Sequence, residues 1–245
     1  WFVRCFSMHA KRTRVVVGRP SDKIPFRYRV TICFWLRNKQ NRGKDKTRLL
    51  NLCSGAGSVS QPFRQNNWEV VEVDWDDRFE PTLVLDITHW NYKEAFPQGH
   101  FDAIWASPDC TQYARARTRA KTPRIPSGAD ELVRACLDIV AHVQPRFWSL
   151  ENPDTGLLKT RDVVKGLPFV RVHYCMHGSP YRKRTRIWTN VSWVPKLCDR
   201  PHLVNGRHTN VAQRGPNSRY EQGFTRDELH RLPAALCEEV FSVAT

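Results

Sequence analysis

Short apolar segments alternate with amphipathic ones along residues 49–190, and this rhythm predicts the fold. The apolar segments are predicted to be six strands, at 49–53, 69–74, 83–87, 101–106, 146–151 and 169–175. Helices are expected from about Ser60 and from near Ser127 to about His142, where Ser127 and Asp130 have capping-box spacing. Strands that alternate with helices form a mostly parallel sheet with helices on both faces. The sequence therefore predicts an α/β, doubly wound domain.

The flanking regions have different patterns. Residues 26–36 alternate like a strand, 37–46 have the composition of a linker, and 1–48 as a whole form a basic extension that matches no module. Residues 191–223 are rich in Pro, Asn, Gly and Arg, which predicts an irregular segment. In 224–245, Thr225 and Glu228 form a capping box and 233–244 is amphipathic. We expect these last helices to complete the core formed by 49–190.

Composition limits the kind of protein. No apolar stretch approaches the roughly 18 residues that a membrane span requires, so no membrane association is expected. The eight cysteines are scattered without a CxxC pair, which favours a reducing, intracellular compartment: nucleus or organelle in a eukaryote, cytoplasm otherwise. The chain starts with Trp1, and its first 19 residues are basic and acid-free, which would suit a processed product with an organellar transit peptide. We expect a monomer.

The formal net charge is +15, which predicts a polyanionic partner. Residues 1–48 hold fourteen Lys and Arg against two Asp. Two further basic clusters lie next to the candidate site residues described below. Nucleic-acid contacts are therefore predicted for Arg115, Arg117, Arg119 and Lys121 in one cluster and for Arg182 in the other.

Three strand ends carry groups that suit an adenosyl cofactor. Gly55 and Gly57 follow the first strand and let a ligand approach the backbone. Asp74 and Trp75 end the second strand, where a carboxylate can bind ribose hydroxyls and an indole can stack on a purine. Asp86 adds a further carboxylate at the same edge. Ser60 stands where the dinucleotide fingerprint has its third glycine, which disfavours NAD and FAD.

Two other strand ends carry groups that suit covalent catalysis. Cys110 follows the fourth strand within a turn, and Glu151 ends the fifth. Strands four and five are expected to flank the crevice of the sheet and so to bring the thiol and the carboxyl together. This pair suits nucleophilic attack with an accompanying proton transfer.

The ordered motifs resemble those of the cytosine-C5 DNA methyltransferases. The similar segments are LNLCSGAGS, VDWD, LDI, SPDC, LENP and RKRTR, within 49–190. The resemblance implies the Rossmann-like class I methyltransferase fold, with S-adenosylmethionine bound by Cys53, Ser54, Gly55, Gly57, Asp74, Trp75, Asp86, Ile87 and Pro108. It further implies that a cytosine flips out of duplex DNA and that Cys110 attacks its C6. Glu151 would bind N3, Arg186 would hold O2, and Arg184 would fix the loop.

The chain also departs from that family. Asp109 stands where proline usually precedes the nucleophile, Arg182 replaces a glutamine, and the Gly-Asn of the last motif is not evident. The segment 191–223 is short for target recognition, so weak sequence preference or a very short target site is expected. Two alternatives stay open: an RNA (tRNA) cytosine-C5 methyltransferase, and an inactive methyltransferase-like domain that binds nucleic acid.

Several residues after the sixth strand are potential zinc ligands: Cys175, His177, Cys198, His202 and His208. No pair has the CxxC spacing of a strong signal. The pattern favours scattered core and loop residues, so no metal is expected.

Overall fold

The computed structural model describes residues 15–16, 46–115, 121–199, 208 and 224–245. The predicted strand 26–36, Arg117, Arg119 and most of the segment 191–223 lie outside these residues. Among the described helices, none has the length and apolar character needed to cross a membrane.

The described residues form one mostly parallel sheet. Its strands are β1 (Val15–Val16), β2 (Arg48–Leu52), β3 (Glu69–Asp74), β4 (Leu83–Val84), β5 (Ala103–Ala106), β6 (Phe147–Pro153), β7 (Phe169–His173) and β8 (Arg184–Thr189). They are ordered β1-β4-β3-β2-β5-β6-β8-β7, with β8 antiparallel to both β6 and β7 and the other pairs parallel. The chain order reverses between β2 and β5, which is where such sheets bind ligands. The doubly wound prediction is confirmed.

Two strand predictions require correction. The predicted strand 83–87 ends at Val84, because the Asp86 carboxylate accepts a hydrogen bond from the Thr88 amide and starts a 3-10 turn instead. The strand β8 was not predicted, because its arginine-rich start hides the alternation. It inserts between β6 and β7, where it pairs with the part of β6 that contains Glu151 and leaves β7 as the edge strand.

The described helices are α1 (Ser60–Gln65), α2 (Tyr92–Ala95), α3 (Pro126–Val143), α4 (Arg226–His230) and α5 (Ala234–Ala244). The Ser127 capping box is wrong: α3 starts one residue earlier, after Ile125, and has no side-chain cap. Asp130 accepts hydrogen bonds from Tyr113 and Arg161 instead. The Thr225–Glu228 capping box is confirmed, with both reciprocal bonds present.

The core lies on both faces of the sheet. Alternate residues of β2 point to opposite faces, so Leu50 packs with Val133 and Ile139 of α3. Leu49 packs with Phe63 of α1 and Leu236 of α5 on the other face. The C-terminal helix α5 is thus part of the core.

Candidate active site

The carboxyl ends of β2, β3, β5 and β6 surround a cavity of about 810 Å³. Eight of the nine residues predicted to bind the cofactor line this cavity, and the exception is Gly57. Cys110 and Glu151 line it as well. One cavity therefore contains both the predicted cofactor residues and the predicted reactive pair.

The glycine loop follows β2 and has a left-handed backbone at three positions. Cys53, Gly55 and Gly57 have φ of +51°, +48° and +68°. A Cβ on Gly57 would lie 2.5 Å from the Glu72 carboxylate, which is itself held by Arg64. Gly57 therefore does not line the cavity, but its lack of a side chain lets the loop pack against Glu72.

Asp74 connects the end of β3 to this loop. Its carboxylate accepts hydrogen bonds from the amides of Gly55, at 2.8 Å, and Asp76, at 2.9 Å. Burial raises the pKa of Asp74, and these two bonds oppose that rise. The neighbouring Trp75 is 75% exposed, so its indole is accessible to a purine.

Asp86 is held at the same edge by its own turn. Its carboxylate accepts bonds from the Thr88 amide at 2.9 Å and the Thr88 hydroxyl at 2.7 Å. Burial would raise the pKa of Asp86, but these bonds and the neighbouring His89 outweigh it and lower the pKa. The group is therefore an ionised acceptor at neutral pH.

The turn that carries Cys110 is fixed from three sides. The Asp109 carboxylate accepts bonds from the Thr111 amide and hydroxyl, and the Cys110 carbonyl accepts one from the Tyr113 amide. The Asn152 side chain donates to the Pro108 carbonyl at 3.0 Å, which joins this turn to the end of β6. Because β5 and β6 are parallel neighbours, the thiol and Glu151 meet at one mouth, as predicted.

Charge and burial control the reactive pair. Burial and the negative charge of Glu151 raise the pKa of Cys110 to about 11, whereas Lys183 lowers it. Burial also raises the pKa of Glu151, opposed by Lys183 and by a hydrogen bond from the Tyr174 hydroxyl at 3.4 Å. Glu151 is thus biased towards its protonated form, which can donate a proton.

Lys183 is a site residue that the sequence analysis missed. Its ammonium lines the cavity, donates to the Leu229 carbonyl at 2.8 Å and lies 4.8 Å from the centroid of the Tyr174 ring. The residue belongs to the RKRTR segment, in which the resemblance assigns roles to the arginines only. That Lys183 reaches the cavity depends on where β8 begins, and β8 was not predicted.

The two arginines predicted to be catalytic lie elsewhere in this structure. Arg186 faces Asn152 across the β6–β8 pair, so its side chain lies on the sheet face opposite to that of Glu151. Its guanidinium donates to the Asp154 carboxylate at 2.9 Å and lies 3.8 Å from the centroid of the Phe169 ring. Arg184 is exposed, and neither residue lines the cavity. Their roles toward the base stay predictions.

The described residues predicted to bind nucleic acid flank the site. Arg115 and Lys121 are exposed on the connection from the Cys110 turn to α3, and Arg182 is half-buried ahead of β8. Arg124, in the same connection, donates to the Ala114 carbonyl at 3.0 Å. The helix α4 and its connection to α5 also reach the cavity, through Asp227, His230, Arg231 and Leu232. This contribution follows from the packing of α5 and was not assigned from sequence.

Comparison with known proteins gives one clear relative. The chain matches no protein-family model. It is 30% identical over 217 residues to a protein of Frog virus 3 (isolate Goorha) described as a probable DNA (cytosine-5)-methyltransferase, covering 80% of this chain and 99% of the relative.

Solved structures match less closely. An Entamoeba histolytica methyltransferase is 15% identical over 60% of this chain and 53% of its own, with a TM-score of 0.45. The magnesium protoporphyrin IX methyltransferase of Synechocystis, solved with S-adenosylmethionine, is 12% identical over 66% of this chain and 76% of its own, with a TM-score of 0.38. The chain thus spans about half of the first of these structures. The identity along nearly the whole length of the viral relative shows that this protein belongs to the DNA (cytosine-5)-methyltransferase family.

Proposed function

We propose that this protein transfers a methyl group from S-adenosylmethionine to C5 of a cytosine in DNA, through a covalent bond from Cys110 to the base. The observation that carries the proposal is the shared cavity, which contains Cys110 and Glu151 together with the glycine loop and Asp74. The name of the viral relative supports the same reaction and the same substrate.

The residues present fit S-adenosylmethionine. Gly55 leaves the backbone open to a ligand, because the space beside its α-carbon contains no atom within 4 Å. The ionised Asp86 and the Asp74 carboxylate are acceptors for ribose hydroxyls, and Trp75 offers a face to the adenine. When bound, S-adenosylmethionine would supply an electrophilic methyl group and would leave as S-adenosylhomocysteine.

The protein residues make the cytosine reactive towards that group. The Cys110 thiol loses its proton to solvent and its sulfur forms a bond to C6 of the ring. Burial raises the pKa of Glu151 and so favours its protonated form, which gives its proton to N3 and draws electrons through the ring to C5. After C5 accepts the methyl group, the C5 proton leaves to solvent, the sulfur–C6 bond breaks and N3 returns its proton to Glu151.

Access to C5 and C6 requires the base to leave the helical stack, because enzymes that act on a base cannot reach it inside a duplex. Flipping costs a few kcal/mol, which contacts to the DNA backbone must offset. The net charge of +15 and the exposed Arg115 and Lys121 beside the Cys110 turn suit such contacts.

The test is a covalent trap with 5-fluorocytosine. In duplex DNA carrying this base, fluorine replaces the C5 proton whose loss releases the enzyme. With S-adenosylmethionine, the wild-type chain should form an adduct that survives denaturing electrophoresis, and mass spectrometry should place it on Cys110. Cys110→Ser should form none, while Cys237→Ala, a buried cysteine outside the cavity, should react normally.

Three results would oppose the proposal in different ways. No adduct with the wild-type chain would contradict covalent methylation and favour an inactive nucleic-acid-binding domain. Equal trapping by Cys110→Ser would remove the assigned nucleophile. Trapping of tRNA containing 5-fluorocytosine in preference to the duplex would move the substrate from DNA to RNA.

A further inference from the structure

Three potential metal ligands converge outside the candidate active site. The ligand atoms of Cys175, Cys198 and His208 all lie within 4.8 Å of one another, and the Cys198 sulfur is 3.5 Å from Nε2 of His208. Cys175 belongs to the 3-10 turn Tyr174–His177 after β7, and Cys198 lies in the segment that follows β8. Sequence spacing alone predicted no metal here, because the ligands are 23 and 10 positions apart in the chain.

The geometry and chemistry of this cluster fit zinc. In a tetrahedral site with Zn–S of about 2.3 Å and Zn–N of about 2.05 Å, a sulfur and a nitrogen lie about 3.6 Å apart and two sulfurs about 3.8 Å apart. The observed 3.5 Å and the limit of 4.8 Å agree with these separations. Thiolate and imidazole donors select zinc over magnesium and calcium, which take oxygen ligands.

We propose that Cys175, Cys198 and His208 bind one Zn²⁺, with one further donor at the fourth vertex. Two thiolates balance the charge of the ion, so the occupied site is neutral when its fourth donor carries no charge. A neutral site avoids adding positive charge next to Arg182, which lies close enough to act electrostatically on Cys175. The site joins the segment after β8 to the end of β7.

Contacts around the cluster already hold one ligand in place. The Cys198 amide donates to Nδ1 of His173, the last residue of β7, at 3.0 Å. His173 is itself buried. Second-shell contacts of this kind orient metal ligands before the ion binds.

The same turn reaches the catalytic pair. Cys175 follows Tyr174, whose hydroxyl donates to Glu151 and whose amide donates to the Lys183 carbonyl. Zinc would therefore fix the segment predicted for target recognition against the elements that position Glu151. This consequence rests on the proposed function, whereas the metal site itself does not.

The test measures metal on the full chain. Protein produced with zinc in the medium should carry about one zinc per chain by elemental analysis. After chelation and addition of Co²⁺, it should show the thiolate-to-cobalt charge-transfer band and the d–d bands of a tetrahedral site. The double variant Cys175→Ser/Cys198→Ser should retain less than about a tenth of the zinc. His208→Ala should weaken cobalt binding and change the d–d bands.

Cys237→Ala is the matched control, because it removes a buried cysteine of α5 that is not one of the three clustered ligands, and it should retain the metal. Zinc should also raise the Tm of the wild-type chain and leave that of the double variant unchanged, a readout that needs folded protein only. The proposal is overturned if the wild-type chain carries no stoichiometric zinc and shows no cobalt–thiolate band, or if the double variant keeps its metal. Neither measurement depends on methyl transfer, so a failed metal site and a failed methyltransferase give different results.

Discussion

The reactivity of Cys110 should depend on two neighbouring charges with opposite sign. With a pKa of about 11, about one Cys110 thiol in a thousand is ionised at pH 8 in the free enzyme. Since only the thiolate is nucleophilic, alkylation of this residue by iodoacetamide should rise about tenfold per pH unit until the pH approaches that value.

Replacing Lys183 tests the electrostatics of the cavity. A single nearby charge moves a pKa by about one to three units, and Lys183 has a smaller effect on Cys110 than burial and Glu151, so we expect about one unit. Lys183→Gln should therefore raise the pKa of Cys110 and slow its alkylation at pH 8 about tenfold. Glu151→Gln removes the negative charge that raises this pKa and should speed the alkylation by at least as large a factor, but only at pH values where Glu151 is ionised.

The assay is peptide-level mass spectrometry of the alkylated chain across a pH series. Lys183→Arg keeps the charge and should restore most of the rate, and Lys165→Gln, an exposed lysine that does not line the cavity, should change nothing. Coincident pH profiles for the wild-type chain, Lys183→Gln and Glu151→Gln would refute the electrostatic account. Faster alkylation of Cys110 in Lys183→Gln than in the wild-type chain would mean that Lys183 raises the pKa of Cys110 and does not lower it.

Three further predictions concern the cofactor loop and β8. Trp75→Ala should weaken S-adenosylmethionine binding in calorimetry by about 1–3 kcal/mol. Because the side chain is exposed, the free energy of unfolding should change by less than about 0.5 kcal/mol. An unchanged affinity would exclude stacking of Trp75 on the adenine. Gly57→Ala and Gly166→Ala both strain a positive φ, so each should lower the free energy of unfolding in urea by about 1–2 kcal/mol. Only Gly57→Ala should also weaken S-adenosylmethionine binding. Asp154→Ala should lower the free energy of unfolding by about 3–5 kcal/mol, because it leaves Arg186 buried without its carboxylate partner. A loss below about 1 kcal/mol would show that the ion pair between Asp154 and Arg186 is not formed.

The parallel half of the sheet was predictable because each strand is a short apolar segment followed by a turn. The ends of β2, β3, β5 and β6 were located within two residues of the structure, and site residues that follow such ends meet at one edge by topology alone. Cys110 and Glu151 could therefore be paired from sequence. That pairing needs only the parallel neighbours β5 and β6, which local patterns indicate well.

The antiparallel edge was not predictable in the same way. β8 begins with Arg184 and alternates arginine with threonine and isoleucine, so a charged motif conceals a strand. Which face an arginine occupies depends on register, and the register that puts Glu151 opposite Ile187 also turns Arg186 towards Asp154. Lys183, one residue before the strand, reaches the cavity instead. The convergence of Cys175, Cys198 and His208 was not predictable for a related reason, since it depends on the hairpin that brings Cys175 near the segment after β8.

Asp109 shows how the chain can keep the Cys110 turn fixed without the proline of its family. Proline fixes φ directly, whereas the exposed Asp109 closes the turn by accepting two hydrogen bonds from Thr111. The exchange adds a negative charge that raises the pKa of Cys110, although less than burial and Glu151 do. The turn thus stays fixed, but a smaller fraction of the Cys110 thiol is ionised. The cation that opposes this loss is Lys183, which lines the cavity, whereas neither of the arginines predicted to be catalytic does.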